Sequence, residues 1–389
     1  MHCATRSLWI ALALTLIAPL AACKSGNDRH GEAADTSATA AAPRATTTAP
    51  GALKATPDAR TDTKTPYAGK ELSIATFNLL NLHEAGAPVY GRPMYDAASY
   101  EQKADWIGSQ LKRMDADLVG FQEVWSAKAL RDAVVRSGKY TSAQVHVPVE
   151  RKDGPVVALA TTLDVIEGPT AVAEFPAAMN VSTDDAKVTI SSFSRPVLRA
   201  TVALPDGTHA RVYVAHLKSK RPTILSGEDK DDPGVKALGH TRSLLRRASE
   251  ASALRWLVLE DMKGTRTPVI VIGDLNDGAA SVTTRIIAGD EPYYALPMDK
   301  KREVWDVLMY STYELQARQN HRDVYYTHIY NQRYETLDHI LVSEELSGLG
   351  PNSVGRFTSL DVWNDHLNGH PPKTQSDHAQ VVARFRMGR

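Results

Sequence analysis

The sequence predicts an α/β sandwich of two mainly antiparallel sheets, and three observations carry that reading. Short apolar runs with strand character recur across residues 67–389, they outnumber the helical stretches, and no glycine-rich phosphate loop or dinucleotide fingerprint follows any of them. A doubly wound parallel sheet is thereby disfavoured. The composition is that of an ordinary folded chain, with 43% hydrophobic residues and 45 basic against 45 acidic side chains in 389 residues. This excludes collagenous, mucin-like and wholly disordered proteins. It also excludes coating of DNA or of an anionic membrane by bulk charge, so any nucleic-acid contact must be local. The two cysteines, Cys3 and Cys23, both precede residue 24, so no disulfide framework or thiolate metal site can form beyond them.

Residues 1–22 have the pattern of a signal peptide: Arg6, an apolar stretch over 8–20 too short to span a bilayer comfortably, then Leu20-Ala21-Ala22-Cys23. That ending resembles the lipobox of bacterial lipoproteins, which implies cleavage before Cys23 and a lipid anchor on it. Lys24 rather than Asp after the cysteine implies an outer-membrane destination within the cell envelope. Residues 23–66 read as a tether: of the 43 residues after Cys23, 26 are Ala, Thr, Pro or Ser, and Leu53 is the only large apolar side chain. A flexible coil of that length reaches on the order of 35 Å.

Residues 67–389 read as one domain with 38 basic and 40 acidic side chains and no internal repeat or linker. Alternating and apolar patterns predict a strand over 72–78, a helix over 98–114, a strand over 118–123 and a helix over 127–137. Strands then dominate, over 156–163, 197–204 and 212–216. A long helix over 235–262 carries Leu238, Leu245, Ala248, Leu254 and Leu257 as its apolar positions and stops at Lys263-Gly264. Strands over 269–274, 324–328, 334–343 and 379–385 complete the domain.

Several of these strands stop on acid-base or metal-ligating side chains. The pattern from Ile74 ends in Asn78, that from Leu118 in Glu123, that from Val212 in His216, and that from Val269 in Asp274-Leu275-Asn276. The pattern from Tyr334 leads into Asp338, and Ser376-Asp377-His378 opens the last strand. A fold that gathers these ends assembles four carboxylates, two amides and two imidazoles. Such a set suits phosphate-ester hydrolysis, which needs a cation over the phosphoryl oxygens, a group to deprotonate water and donors for developing charge. Asp, Glu and Asn oxygens favour Mg²⁺ or Mn²⁺ over zinc.

The ordered segments TFNLLNL (76–82), FQEVW (121–125), FSRPVLRA (193–200), VAHLKSK (214–220), IGDLND (272–277), LDHILVS (337–343) and SDHAQVVARF (376–385) resemble the endonuclease/exonuclease/phosphatase superfamily over about residues 70–387. The resemblance implies a four-layered α/β sandwich with a divalent metal at the mouth between two sheets. It implies Glu123 as principal metal ligand, with Asn78 beside it and Asp377 as a further carboxylate. It places Asp274 and Asn276 at the attacking water and scissile phosphate, His378 as general base oriented by Asp338, and His216 as donor to a phosphoryl oxygen or leaving group. The base stays open between His378 and Asp274, and the phosphate-steadying arginine between Arg195 and Arg199. Asn81 stands where an acidic residue would support a second metal, and His339 where many relatives have Tyr. His83 and Glu84 read as a solvated loop, with reach to the metal as the alternative, the charged loop 218–234 as a substrate clamp or as self-compensating, and Arg242, Arg246, Arg247 and Arg255 as the wet face of their helix.

The function these residues imply is a divalent-metal-dependent phosphoester hydrolase, a nuclease cleaving phosphodiester bonds. A phosphomonoesterase or a phospholipase C-like enzyme of the sphingomyelinase or inositol-phosphatase type is the alternative, and a non-catalytic binding module is the reading from another class. No protein partner is evident.

Overall fold

The computed structural model describes residues 69–179, 190–320, 326–368 and 371–388. The signal peptide, Cys23, the tether and the first two residues of the domain expected from 67 lie outside the described residues. Along the chain run β1 (Glu71–Leu82), β2 (Pro88–Val89), β3 (Arg92–Pro93), α1 (Ala97–Met114), β4 (Leu118–Val124), α2 (Ala127–Val135), β5 (Val145–His146), β6 (Val156–Thr161), β7 (Val165–Glu174), β8 (Ser192–Ala203) and β9 (His209–His216). There follow α3 (Pro233–Met262), β10 (Val269–Asp274), α4 (Val282–Ala288), α5 (Met298–Trp305), β11 (Met309–Ser311), α6 (Thr312–Gln319), β12 (His328–Tyr330), β13 (Arg333–Glu335), β14 (Asp338–Ser343), α7 (Glu344–Ser347), β15 (Gly355–Trp363) and β16 (Gln380–Met387).

Two six-stranded sheets form, ordered β15-β16-β1-β4-β6-β5 and β11-β14-β10-β9-β8-β7. Each is antiparallel except for one central parallel pair, β1 with β4 and β9 with β10. The expected mainly antiparallel sandwich is therefore observed. Their facing sides share one core that includes Ile74, Leu118 and Leu159 from the first sheet and Leu198, Val212 and Ile270 from the second. Gly120 leaves room for the facing sheet, because a Cβ there would come within 2.9 Å of Ile272 Cγ2. The outer side of the first sheet packs against α1 and α2 through Phe77, Phe121, Ile107, Leu111 and Leu130, and that of the second against α3 and α4 through Tyr213, Val271, Leu254 and Ile287. The layers are thus helix, sheet, sheet, helix.

The helix ends follow local chemistry. Asp96 caps α1 by accepting from Ser99 N at 2.8 Å, and Asp232 caps α3 by accepting from Val235 N, with Pro233 at the first turn. Two expectations need correction. The strand expected over 334–343 is two strands, because residues 336–337 break away: Leu337 N and Asp338 N both donate to Thr327 Oγ1. The strand expected over 324–328 instead begins at His328, with Val324 and Tyr325 outside the described residues. Long α3 also departs from its simple apolar reading, since Leu238 and Leu245 are exposed while Arg247 is buried.

Candidate active site

The two parallel pairs explain the location of the site. Partners in a parallel pair end on the same side, so β1 and β4 deliver Asn78 and Glu123 together, and β9 and β10 deliver His216 opposite Asp274. Antiparallel β14 begins where β10 ends, which sets Asp338 opposite Asp274. The last strand β16 likewise starts at this rim, preceded by Ser376-Asp377-His378. Ser376 Oγ donates to Asn78 O and accepts from His378 N at 3.0 Å, fastening that turn to β1.

Asp274 is the hub. Its Oδ1 accepts from Asn276 N at 2.9 Å and its Oδ2 from Asn78 Nδ2 at 3.1 Å. The same Oδ2 lies 3.5 Å from His216 Nε2 and 3.8 Å from His378 Nε2. Burial pushes the Asp274 carboxyl up to about 7 against the opposing pull of His378. His378 Nδ1 meets Asp338 Oδ2 at 2.8 Å. Burial opposes the His378 imidazolium, but the Asp338 and Asp274 carboxylates outweigh it and hold its pKa well above the ordinary histidine value. Burial, with the Arg195 and His378 charges, holds His216 well below that value. Two carboxylates and two imidazoles therefore share one small volume, and the two imidazoles have opposed proton affinities.

Glu123 sits in a bulge of β4 with φ 59°, and the one hydrogen bond its carboxylate accepts among the described residues comes from Asn81 N, at 3.0 Å. Burial, then Asp377, raises its pKa. Two carboxylates that repel at the mouth, one of them short of donors, are what a hard divalent cation would relieve. The donor set fits such an ion. The described residues also hold two groups whose ligand atoms cluster within 4.8 Å: Asp274, Asp338 and His378, and His328, Asp377 and His378. In the first, Asp338 and His378 are already bonded to each other.

A family model described as "Endonuclease/Exonuclease/phosphatase family" matches residues 75–378. The chain belongs to the endonuclease/exonuclease/phosphatase family. Its site can hold a divalent metal, and its fold and site are those of a metal-dependent phosphoesterase. No curated protein matches the sequence. Among solved structures, truncated TDP2 of Caenorhabditis elegans is 13% identical, covering 81% of this chain and 97% of that one at TM-score 0.48. The human Nocturnin catalytic domain with bound sulfate is 14% identical over 82% and 94%, at TM-score 0.48. A mannosyl-6-phosphatase of Bacteroides thetaiotaomicron is 14% identical over 81% and 99%, at TM-score 0.47.

Within this family member the remaining candidates separate cleanly. Arg195 donates to Leu217 O at 3.1 Å and to His216 O at 3.4 Å, beside the hub. Arg199 pairs with Asp261 at 2.5 Å and lies over Tyr213, in the layer toward α3. Asn276 donates from Nδ2 to Leu217 O at 3.0 Å, so its amide braces the turn after β10 as well as lying beside the hub. Asn81 accepts from Trp125 Nε1 at 2.8 Å, and His83 Nδ1 contacts Glu84 at 2.6 Å. His339 is buried with Nε2 on Asp277 O at 2.8 Å. The loop after β9 pairs its charges with neighbouring elements rather than with itself: Glu228 takes Arg242 of α3 and Lys220 takes Glu335 of β13. The arginines of α3 are not a wet face, since Arg247 reaches Lys218 O and Asp277, Arg246 reaches Ser192 O, and Arg255 reaches Ile287 O.

Three supporting residues escaped the sequence reading. Glu250, buried on α3, accepts from Ser194 N, Ser194 Oγ and Lys218 N, which ties the segments bearing Arg195 and His216 together. Lys103, buried on α1, donates to Gln375 O at 2.7 Å beneath the Asp377 turn; burial lowers it to about 7 against Asp377 and Glu123. His328 on β12 pairs with His378 across an isolated bridge, ring centroids 4.7 Å apart. A charged residue at a buried helical position was the only available signal for the first two.

Proposed function

We propose that this protein is a phosphodiesterase acting on single-stranded nucleic acid. The observation that carries the proposal is the pair of aromatic rims beside the hub. On one side the β2–β3 ribbon presents Tyr90, 66% exposed, edge-on to Trp125 at 5.0 Å and within electrostatic reach of Glu123, Arg195 and Arg221. On the other, the β12–β13 ribbon presents Tyr330, 63% exposed, stacked along His328, which in turn faces His378. Splayed bases stack on such platforms at about 1–3 kcal/mol each. Local cations replace the missing bulk charge: burial lowers the Lys218 pKa first, and Arg195, Arg247 and Arg221 stand near enough to lower it as well, against Glu250.

In the mechanism, Glu123 and Asp377 would hold the divalent ion, which supplies charge neutralisation at the phosphoryl oxygens. Asp274 and His378, whose facing atoms are 3.8 Å apart, divide one proton between them. Whichever is unprotonated takes the proton of the attacking water. Asp338 fixes the His378 ring through Nδ1, and Asn78 and Asn276 aim the Asp274 carboxylate. His216, kept neutral, is placed to donate a hydrogen bond rather than a charge. Arg195, held by two carbonyls, points the positive end of the site at the phosphate.

Exposed Leu225, Leu238, Leu244 and Leu245 on the loop after β9 and on α3 favour a second reading, hydrolysis of phospholipid headgroups. Single-stranded DNA, RNA, plasmid DNA, sphingomyelin vesicles, inositol phosphates and a phosphomonoester, each with Mg²⁺, Mn²⁺ or chelator, decide between them. Turnover of the single strands, lost in chelator and weakened about tenfold or more in KM by Tyr90→Ala or Tyr330→Ala, supports the proposal. Turnover of vesicles alone overturns it. The export reading is proposed alongside: Cys23→Ser moves the protein from the membrane to the soluble fraction of its native cell, and equal membrane association of both forms argues against the anchor.

A further inference from the structure

His328 takes no part in the proton relay, yet its ring is held against it. Its Nε2 faces Asp377 Oδ2 at 4.0 Å, beyond hydrogen-bonding distance, and its Nδ1 is buried without a partner. The backbone bridge to His378 and the short turn to Asp377 fix all three residues on one rim. One ligand atom from each lies within 4.8 Å of the others. The His378 Nδ1 is committed to Asp338, so the nitrogen left to this cluster is Nε2.

We propose that His328, Asp377 through the Oδ2 that faces His328, and His378 form a second cation site, selective for an imidazole-preferring divalent ion such as Zn²⁺, with the other Asp377 oxygen left to the ion at Glu123, and that its occupation inhibits the enzyme. The donor chemistry is the reason for the selectivity. Two imidazoles and one carboxylate suit zinc, whereas Mg²⁺ prefers oxygen and keeps several waters. Ligand atoms of a tetrahedral zinc site stand about 3.4 Å apart, so atoms that now lie 4.0 Å and up to 4.8 Å apart need to close by on the order of 1 Å. Asp377 is partly exposed, so ion and water can enter. Inhibition follows from the atom used. Coordination occupies His378 Nε2, the atom that faces Asp274, so the pair can no longer divide a proton between them. The inhibitory half of the proposal rests on the phosphodiesterase reading; the binding half does not.

The test is equilibrium dialysis of the full chain against Zn²⁺ with Mg²⁺ saturating, beside His328→Phe, which keeps a ring in the stack but removes its nitrogens. His209→Ala, at an exposed strand end, is the control. The wild type and the control are expected to bind one more equivalent of Zn²⁺ than His328→Phe, and Co²⁺ in place of Zn²⁺ is expected to show a tetrahedral absorption band that the variant lacks. Zinc inhibition of turnover is expected to weaken at least about tenfold in the variant. Equal zinc binding by wild type and His328→Phe, with both folded by circular dichroism, overturns the site. Loss of the equivalent without a change in zinc inhibition overturns the inhibition. If His328→Phe does not fold, His328→Gln is read by the same criteria. Failure of every substrate to turn over, with the extra equivalent intact, would count against the phosphodiesterase reading and not against the site.

Discussion

Asp274 concentrates the chemistry at the residue scale because one oxygen, Oδ2, faces Asn78, His216 and His378 at once. Its carboxyl must be ionised to accept a proton, and burial has lifted it to about 7. With Mg²⁺ saturating, kcat/KM is therefore expected to fall as pH drops through that region, or somewhat lower, because positive charge at Glu123 and Asp377 favours the carboxylate. Asp274→Asn should cost on the order of a hundredfold or more and remove this acid limb; a pH–rate profile of both proteins checks it. Glu123 makes the complementary case. Burial and Asp377 raise its pKa above the unfolded value of about 4.3, so the folded protein binds the proton more tightly. Its contribution to stability is complete below the unfolded value and is lost as pH rises through the folded one. In chelator at pH 8, Glu123→Gln is expected to melt above the wild type, the difference closing as pH falls toward about 4, while turnover with metal falls about a thousandfold. Asn78, Glu123, His216, Asp274 and His378 were legible in the sequence because each sits at the end or start of an apolar run. Glu250, Lys103 and His328 were not, since nothing in a local window shows that α1, α3 or a three-residue strand will lie against that rim.

At the scale of elements, the register between β9 and β10 decides whether a site exists. Gly273 has φ 150°, and a Cβ on it would stand 1.9 Å from Ala215 O, on the neighbouring strand. Gly273→Ala must push the two strands apart just before the residue pair His216 and Asp274. A loss of at least about 2 kcal/mol in urea unfolding is expected, with a larger fall in turnover than in the folded fraction. Wild-type turnover in a folded Gly273→Ala protein would show that this register is not needed. The bulge at Glu123 works in the same way on the other sheet, turning a strand residue toward the mouth at the expense of a left-handed backbone. Strong apolar runs announced β1, β4, β9 and β10. The short edge strand β11, the ribbon β2–β3 and helices α4 to α6 carry weak patterns, and tertiary packing alone makes them regular.

For the whole molecule, a shared core between the sheets and two outer cores under helices stabilise the rim from three sides. Residues 24–66 hold Leu53 as their one large apolar side chain, too little to add to these cores, so a chain of residues 67–389 is expected to melt with the full-length protein and to hydrolyse a soluble phosphodiester at the same rate. A lower melting temperature or rate in the shorter chain contradicts the tether reading. No helix among the described residues is long and apolar enough to cross a membrane. The sequence by itself determined the class of fold, the ordered motifs and most of the polar set, because alternation of apolar residues and the identity of strand-end side chains are local properties. Only the tertiary structure decided that Arg195 rather than Arg199 faces the hub, that Asn81 serves Trp125, and that His328 joins Asp377 and His378. Those outcomes depend on which strand ends share a rim and which way a side chain is drawn by partners far away in sequence. Contacts between distant segments form when two sheets close over one core, and no single stretch of chain records them.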